Sequence, residues 1–305
     1  MFNYSNSTAL VTGASSGIGE AIVRELVARG TRELVLVARS GDKLTALSTE
    51  LACKNGTRCH VVVADLRDTD APQRVLDEAK RLGIHVDLLV NNAGVGIAGQ
   101  FEQENQCPPA ELVAVNVAAV TQMSYLFLPA MLERGHGAIL NVASNAALVP
   151  VPFSAAYGAS KAFVLSLSEA LWVEYHPRAV RVCCVVPGVT ATSLDGPGRG
   201  EVRPVFDRIG IGAPAEVARV ALDALDRDAP SQGVGRANGL FNGFLLQIPR
   251  LTSARVIASF KRPDEVRAQF RFPLGSIALS LATKTSAIAG LLALGALLSS
   301  AKKNT

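Results

Sequence analysis

Thr12–Gly19 reads TGASSGIG, and it stands between a run suited to a buried strand and a run suited to a helix. Few folds place three glycines at such a junction. The short β-branched run Ser7–Thr12 predicts a strand ending at Gly13. Glu20–Arg29 repeats apolar residues at helical spacing until Gly30 stops it. Gly13 permits a tight turn, Gly17 lets backbone approach a pyrophosphate, and Gly19 lets the helix pack close. The helix start, with Ser15, Ser16 and Ile18, offers unpaired N–H groups and partial positive charge to phosphates. An ordinary glycine-rich turn is the competing reading; the strand and helix on either side favour the dinucleotide cradle.

The rest of the chain continues the alternation. Strands are expected at Leu34–Ala38, Cys59–Ala64, Val86–Val90, Ala138–Val142 and Val180–Val186. Helices are expected at Asp42–Leu51, Val75–Arg81, around Glu111–Leu126, and at Ala156–Tyr175. Continuous apolar strands between amphipathic helices imply an α/β fold, a doubly wound parallel sheet of Rossmann type with helices on both faces. After Thr190 the pattern weakens into a Gly/Pro-rich stretch, DGPGRG at 195–200, followed by a helix at Ala215–Leu225. Residues 190–214 are placed to close over a substrate beyond the strand ends. The expected organisation is one catalytic domain over 1–249 and a helical extension over 250–305.

Two positions carry chemical choices. The second strand ends Ala38-Arg39-Ser40 without a carboxylate for ribose hydroxyls. Arg39 can grip a 2′-phosphate through a charged fork, with Ser15 and Ser40 as hydroxyl donors, which favours NADP(H). The alternative for Arg39 is a solvated loop charge. Tyr157 and Lys161 stand i, i+4, on one helix face. A nearby ammonium lowers a tyrosine pKa from its ordinary ~10 and readies it to exchange a proton with an alkoxide. Ser144, just beyond the fifth strand, is placed to hold a carbonyl oxygen. Asn116 on the long helix either joins this group or satisfies a kinked backbone.

The glycine spacing T-G-x-x-x-G-x-G resembles the compact branch of the short-chain dehydrogenase/reductase family. The extended branch, with its epimerases and dehydratases, spaces its glycines T-G-x-x-G-x-x-G. Asn91-Asn92-Ala93-Gly94 is similar to the family's N-N-A-G signature, and Pro187-Gly188-Val189-Thr190 to its proline–glycine stretch. The resemblance runs from about Thr8 to Leu225. It implies a catalytic tetrad of Asn116, Ser144, Tyr157 and Lys161, with Asn116 holding a water that connects to Lys161. It places Asp65 and Leu66 at the adenine, and Asn92, Ala93 and Gly94 along the ribose. Tyr157, Lys161, Val189 and Thr190 lie by the nicotinamide. The implied reaction interconverts a ketone and a secondary alcohol by hydride transfer. Members are commonly homodimers or homotetramers through the helices holding Asn116 and Tyr157. The rival reading is a catalytically silent NADP(H)-binding sensor or scaffold, which the intact tetrad disfavours.

Composition matters mainly for partners. Five cysteines match no zinc spacing, so no metal is expected, and free thiols in a reducing, cytoplasmic compartment fit best. No secretory signal is expected from the polar start Met1–Ser7. Between Arg250 and Thr305 stand nine basic and two acidic residues, a net +7; the whole chain carries +4, which leaves −3 for the rest. An acidic or membrane surface suits that tail, as does a solvated helix pair; nucleic acid is not expected. Ala287–Leu298 is uncharged, shorter than the ~20 residues of a span. Packing on the body or a partner subunit, anchoring at a membrane surface through 274–303, and spanning all stay open. The apolar stretch 238–260 with interspersed arginines suggests a lipophilic 3-oxo substrate, long-chain or polycyclic. The polar run Glu104–Pro109 is expected at the substrate side or an interface.

Overall fold

The computed structural model describes residues 1–96, 99–103, 108–191, 212–235, 243 and 246–261. The strands are β1 (Thr8–Thr12), β2 (Glu33–Ala38), β3 (Arg58–Val63), β4 (Leu88–Asn91), β5 (Gly137–Val142), β6 (Val180–Val186) and β7 (Ser231–Gly233). They form one parallel sheet in the order β3-β2-β1-β4-β5-β6-β7. The chain winds outward from β1 to β3, then returns to place β4 on the other side of β1. That reversal opens a crevice above β1 and β4, the ligand position of doubly wound sheets.

The main helices are α1 (Gly17–Ala28), α2 (Gly41–Asn55), α3 (Ala71–Arg81), α4 (Pro109–Val113), α5 (Val120–Arg134), α6 (Ala155–Tyr175), α7 (Pro214–Asp226) and α8 (Arg250–Lys261). The strand pleat sends alternate residues to opposite faces. Val11, Leu36, Val90, Leu140 and Val185 pack toward α1, α2 and α7. Leu10, Val35, Leu89, Ile139 and Val182 pack toward α3, α5 and α6. Most of these strand residues have no exposed surface, and each fully buried Leu, Ile or Val contributes about 2 kcal/mol. Burial on both faces is why the strands read as unbroken apolar runs.

The doubly wound sheet expected from the sequence is present, with differences at particular elements. Helix α1 begins at Gly17 rather than Glu20, and α2 runs on to Asn55. The helix expected near Glu111–Leu126 is three pieces, α4, a π-helical turn over Ala114–Ala119, and α5. Pro109–Arg134 as a whole is long and apolar enough to cross a membrane, yet half of its most apolar window is buried. Met123, Phe127 and Met131 pack on the sheet, as in a core helix. Strand β7 was not expected. Cys53, Cys59, Cys183 and Cys184 are free thiols; Cys107 lies outside the described residues. So do 192–211, most of the segment expected over the substrate, and 262–305 with the proposed contact region 274–303.

Candidate active site

The crevice is built from the ends of β1, β4, β5 and β6. Thr12, the last residue of β1, ties it to β4: its hydroxyl donates to the Val90 carbonyl at 3.1 Å and accepts the Asn92 and Ala93 N–H groups at 3.0 Å each. Asn92 returns the tie, its amide donating to the carbonyls of Thr12 at 2.9 Å and Gly13 at 3.3 Å. Gly13 and Gly17 hold φ of +65° and +59°, conformations that L side chains rarely adopt. A Cβ on Gly19 would collide with the Gly13 carbonyl oxygen and the Asn92 amide. Ser16 begins α1 with no side-chain cap, which leaves the first-turn N–H groups to other acceptors. Ser15 and Ile18 flank this turn, both half-buried. A cradle that a single Cβ would fill, facing uncapped helix N–H groups, fits the pyrophosphate of a dinucleotide.

Arg39 and Ser40 are exposed at the end of β2, where Ser40 begins α2 without bonding its backbone. Arg39 makes no ion pair with a described residue. Asp65, expected at the adenine, pairs with Arg67 just beyond β3. The Arg67 guanidinium donates to Asp65 Oδ2 at 2.6 and 2.9 Å and to Oδ1 at 3.1 Å, and reaches Glu111 at 2.9 Å. That fork holds the Asp65 carboxyl below the usual carboxylate range. Leu66 beside it is buried with Ala71 and Ala119.

At the end of β5, Ser144 starts a 3-10 turn over Asn145–Ala147; its hydroxyl accepts the Ala146 N–H at 3.2 Å and donates to Asn145 Oδ1 at 3.3 Å. Asn145 N–H donates to the Pro187 carbonyl at 2.8 Å, so the Pro187–Gly188 stretch is fixed to this turn. Helix α6 begins close against it because residue 158 is glycine: a Cβ there would sit 3.4 Å from the Ala146 carbonyl oxygen and 3.3 Å from Val151. That approach sets the first turn of α6, which holds Tyr157, against the turn that Ser144 starts. Thr190 hydroxyl donates to the Gly188 carbonyl at 3.1 Å. The backbone of Val189 and Ala191 bonds that of Gly212.

Lys161 is 4% exposed. Its Nζ donates to the Val142 carbonyl at 2.9 Å and lies 5.9 Å from the centre of the Tyr157 ring. It makes no ion pair with a described residue, and burial lowers its pKa from 10.5 to about 8. Asn116 lies within the π-helical turn, fully buried. Such turns re-aim a side chain by inserting a residue. Its Oδ1 accepts the Val95 N–H at 2.9 Å, and its Nδ2 donates to the Val95 carbonyl at 2.9 Å and to Ser160 Oγ at 3.1 Å. Ser160 donates in turn to the Tyr157 carbonyl at 2.8 Å. Gly94 separates the two: a Cβ on it would lie 3.3 Å from Asn116 Oδ1 and 3.4 Å from Lys161 Nζ. The four residues expected to form the tetrad therefore lie at the same end of the sheet. Reasoning from sequence missed Thr12, Ser160 and Gly158, although all three lie inside or next to the motifs it used.

The short chain dehydrogenase family model matches residues 7–201. The chain is similar to the very-long-chain 3-oxoacyl-CoA reductase of Anas platyrhynchos, 32% identical over 86% of this chain and 81% of that protein. The Bos taurus protein of the same name is 36% identical over 61% of this chain; the chain spans 60% of its length, less than two thirds. A short-chain dehydrogenase from Sphingobium yanoikuyae, solved in complex with NADPH, superposes with a TM-score of 0.68 at 30% identity, over 80% of this chain and 97% of that one. One family model thus takes in more than half of the chain, and a solved member shares its fold. The chain belongs to the short-chain dehydrogenase/reductase family and is a nicotinamide-dinucleotide-dependent oxidoreductase, a ketoreductase by its relatives.

Proposed function

We propose that the chain reduces the keto group of lipophilic 3-oxo substrates with NADPH. The observation that carries this reading is the convergence of Ser144, Tyr157 and the buried Lys161 where β5 ends. Bound nicotinamide supplies the hydride. Ser144 hydroxyl holds the carbonyl oxygen, and Tyr157 Oη gives its proton to the forming alkoxide. Lys161 lies under the Tyr157 ring, where its positive charge favours the phenolate left behind. Asn116 braces the Val95 backbone and Ser160, which keeps Tyr157 and Lys161 in register.

NADPH is preferred to NADH because Arg39 is exposed and without an ion-pair partner among the described residues, next to the open start of α2. Such a pair of features suits a 2′-phosphate, and no carboxylate ends β2 to repel it. The lipophilic class rests on α8, which carries Val256 onto Val149, five residues after Ser144, with Ile248 beside them. Peripheral contact of a cytoplasmic enzyme with an anionic membrane is supported by exposed Leu246 and Leu251 beside exposed Arg250 and Arg255. A homodimer or homotetramer through α5 and α6 is supported by exposed Tyr125, Phe163 and Val173 on those helices.

The test follows NADPH absorbance with ketones and 3-oxoacyl thioesters of increasing chain length. Turnover that improves with chain length and falls about a thousandfold in Tyr157→Phe, with NADPH binding kept, is the expected result. Tight NADPH binding with no turnover of any ketone, thioester or aldehyde would favour the silent sensor instead.

A further inference from the structure

The sheet face beneath α5 and α6 changes character one pleat below the site. Leu89, Ile139 and Val182 form an apolar row there. The next row toward the crevice is Asn91, Asn141 and Cys184, paired in register across β4, β5 and β6. All three are at most 3% exposed. Buried amides persist only when hydrogen-bonded, and these bond to one another and to the two helices. Asn91 Nδ2 donates to Ser124 Oγ at 3.1 Å and to Asn141 Oδ1 at 2.9 Å; Asn141 Nδ2 donates to Ser168 Oγ at 2.9 Å. Ser124 lies on α5 and Ser168 on α6, at most 3% exposed.

The two ends of this chain of bonds are built alike. Ser124 donates to the Val120 carbonyl at 2.8 Å, and Ser168 to the Val164 carbonyl at 2.6 Å, each one turn back along its helix. Val120 and Val164 pack in one cluster with Ala143 and Cys184. One further turn back along the same helical course stand Asn116 on one side and Lys161 on the other. Both helices are thus gripped through a serine at the same depth, by two asparagines that are neighbours in the sheet.

We propose that Ser124–Asn91–Asn141–Ser168 is a single positioning relay that fixes α5 relative to α6, and thereby Asn116 relative to Lys161 across Gly94. The relay touches no substrate; its members are positioning residues. It rests on the proposed roles of Asn116 and Lys161 only for its effect on turnover. An apolar pair at 91 and 141 would bury as well, but would leave the helices free to slide along the sheet.

Asn141→Ala removes a buried partner from both Asn91 and Ser168 and risks failing to fold, so the test uses Ser124→Ala, Ser168→Ala and the double variant of the full chain. Amide hydrogen exchange is the first readout, because it needs no substrate. Ser124→Ala is expected to speed exchange about tenfold on the opposite helix, in α6 around Lys161, the loss of one buried hydrogen bond. Ser168→Ala is expected to do the same in the Ala114–Ala119 turn. In turnover, each single variant lowers kcat with the KM for NADPH unchanged, and the double variant is no worse than the singles, since either cut breaks the same connection. Exchange that changes only on the helix carrying the substitution, or kcat losses that multiply, overturns the relay. Absence of ketone turnover in the wild type would count against the proposed reaction, while the exchange data would still decide the relay.

Discussion

The two sides of the crevice hold their ligands' places by opposite means. On the β1–β2 side, shape comes from side chains that are missing: Gly13 and Gly17 in left-handed conformations, and Gly19 against the Gly13 carbonyl. On the β4–β6 side it comes from polar side chains buried and satisfied: Asn116, Lys161, Asn91 and Asn141. Backbone cannot retreat without moving a strand, whereas a side chain can turn. The first side should therefore fail abruptly on substitution, and the second by degrees.

The largest effect is expected from Gly19→Ala. Its Cβ meets backbone, which leaves no rotamer to relieve the clash, and overpacking of this kind costs about 3 kcal/mol or more. NADPH binding by titration calorimetry should disappear and the melting temperature drop. Retention of NADPH affinity would show that the cradle is softer than its geometry implies.

Lys161 gives the sharpest contrast, since its burial opposes stability. Its folded-state pKa of about 8 lies below the ordinary 10.5, so the unfolded chain holds the proton more tightly. As pH falls from about 10.5 to about 8 the native state loses stability, and below that window the loss, about 3 kcal/mol, is constant. Lys161→Met keeps the apolar stem and removes the charge. It should be inactive yet more stable near neutrality, with the gain fading as pH climbs through the same window. Urea unfolding at several pH values checks this; a variant less stable at neutral pH would mean that the bond to Val142 outweighs the desolvation.

How far each side was legible in the sequence follows from the same contrast. Glycines at a strand–helix junction have few other uses, so Gly13, Gly17 and Gly19 were readable, as was the alternation of strands and helices. The start of α1 was misplaced because glycine, a poor helix former, hides a helix that begins inside the motif. Strand β7 has no apolar residue to announce it; Ser231–Gly233 is extended because the β6 edge offers it partners. The π-helical turn around Asn116 has no sequence mark. Ser124, Asn141 and Ser168 look like any small polar residues until the sheet register brings them together. Resemblance and spacing name the expected tetrad members, but what holds them depends on contacts distant in the chain.

Arg39 tests whether the cofactor side contains any side-chain recognition at all. Arg39→Ala should weaken NADPH by about 2 kcal/mol, roughly thirtyfold, the worth of a charge-assisted hydrogen bond. NADH, lacking the 2′-phosphate, should bind the variant and the wild type alike. Equal weakening of both cofactors would assign Arg39 a general electrostatic part; no change in either would return it to a solvated loop charge.

Gly94→Ala makes the smallest expected change, and it sits where the two sides meet. Its φ is not in the left-handed region, so alanine fits the backbone there, and the atoms its Cβ would meet belong to side chains, Asn116 Oδ1 at 3.3 Å and Lys161 Nζ at 3.4 Å. Each needs to give way by only a few tenths of an ångström. The variant should fold and bind NADPH, with kcat down about tenfold from displacing groups that must stay aligned. Set beside Gly19→Ala, it makes the same chemical change against a yielding wall instead of a rigid one. If Gly94→Ala also abolishes NADPH binding, the catalytic side is as rigid as the cradle, and the division between backbone-held and side-chain-held halves is wrong.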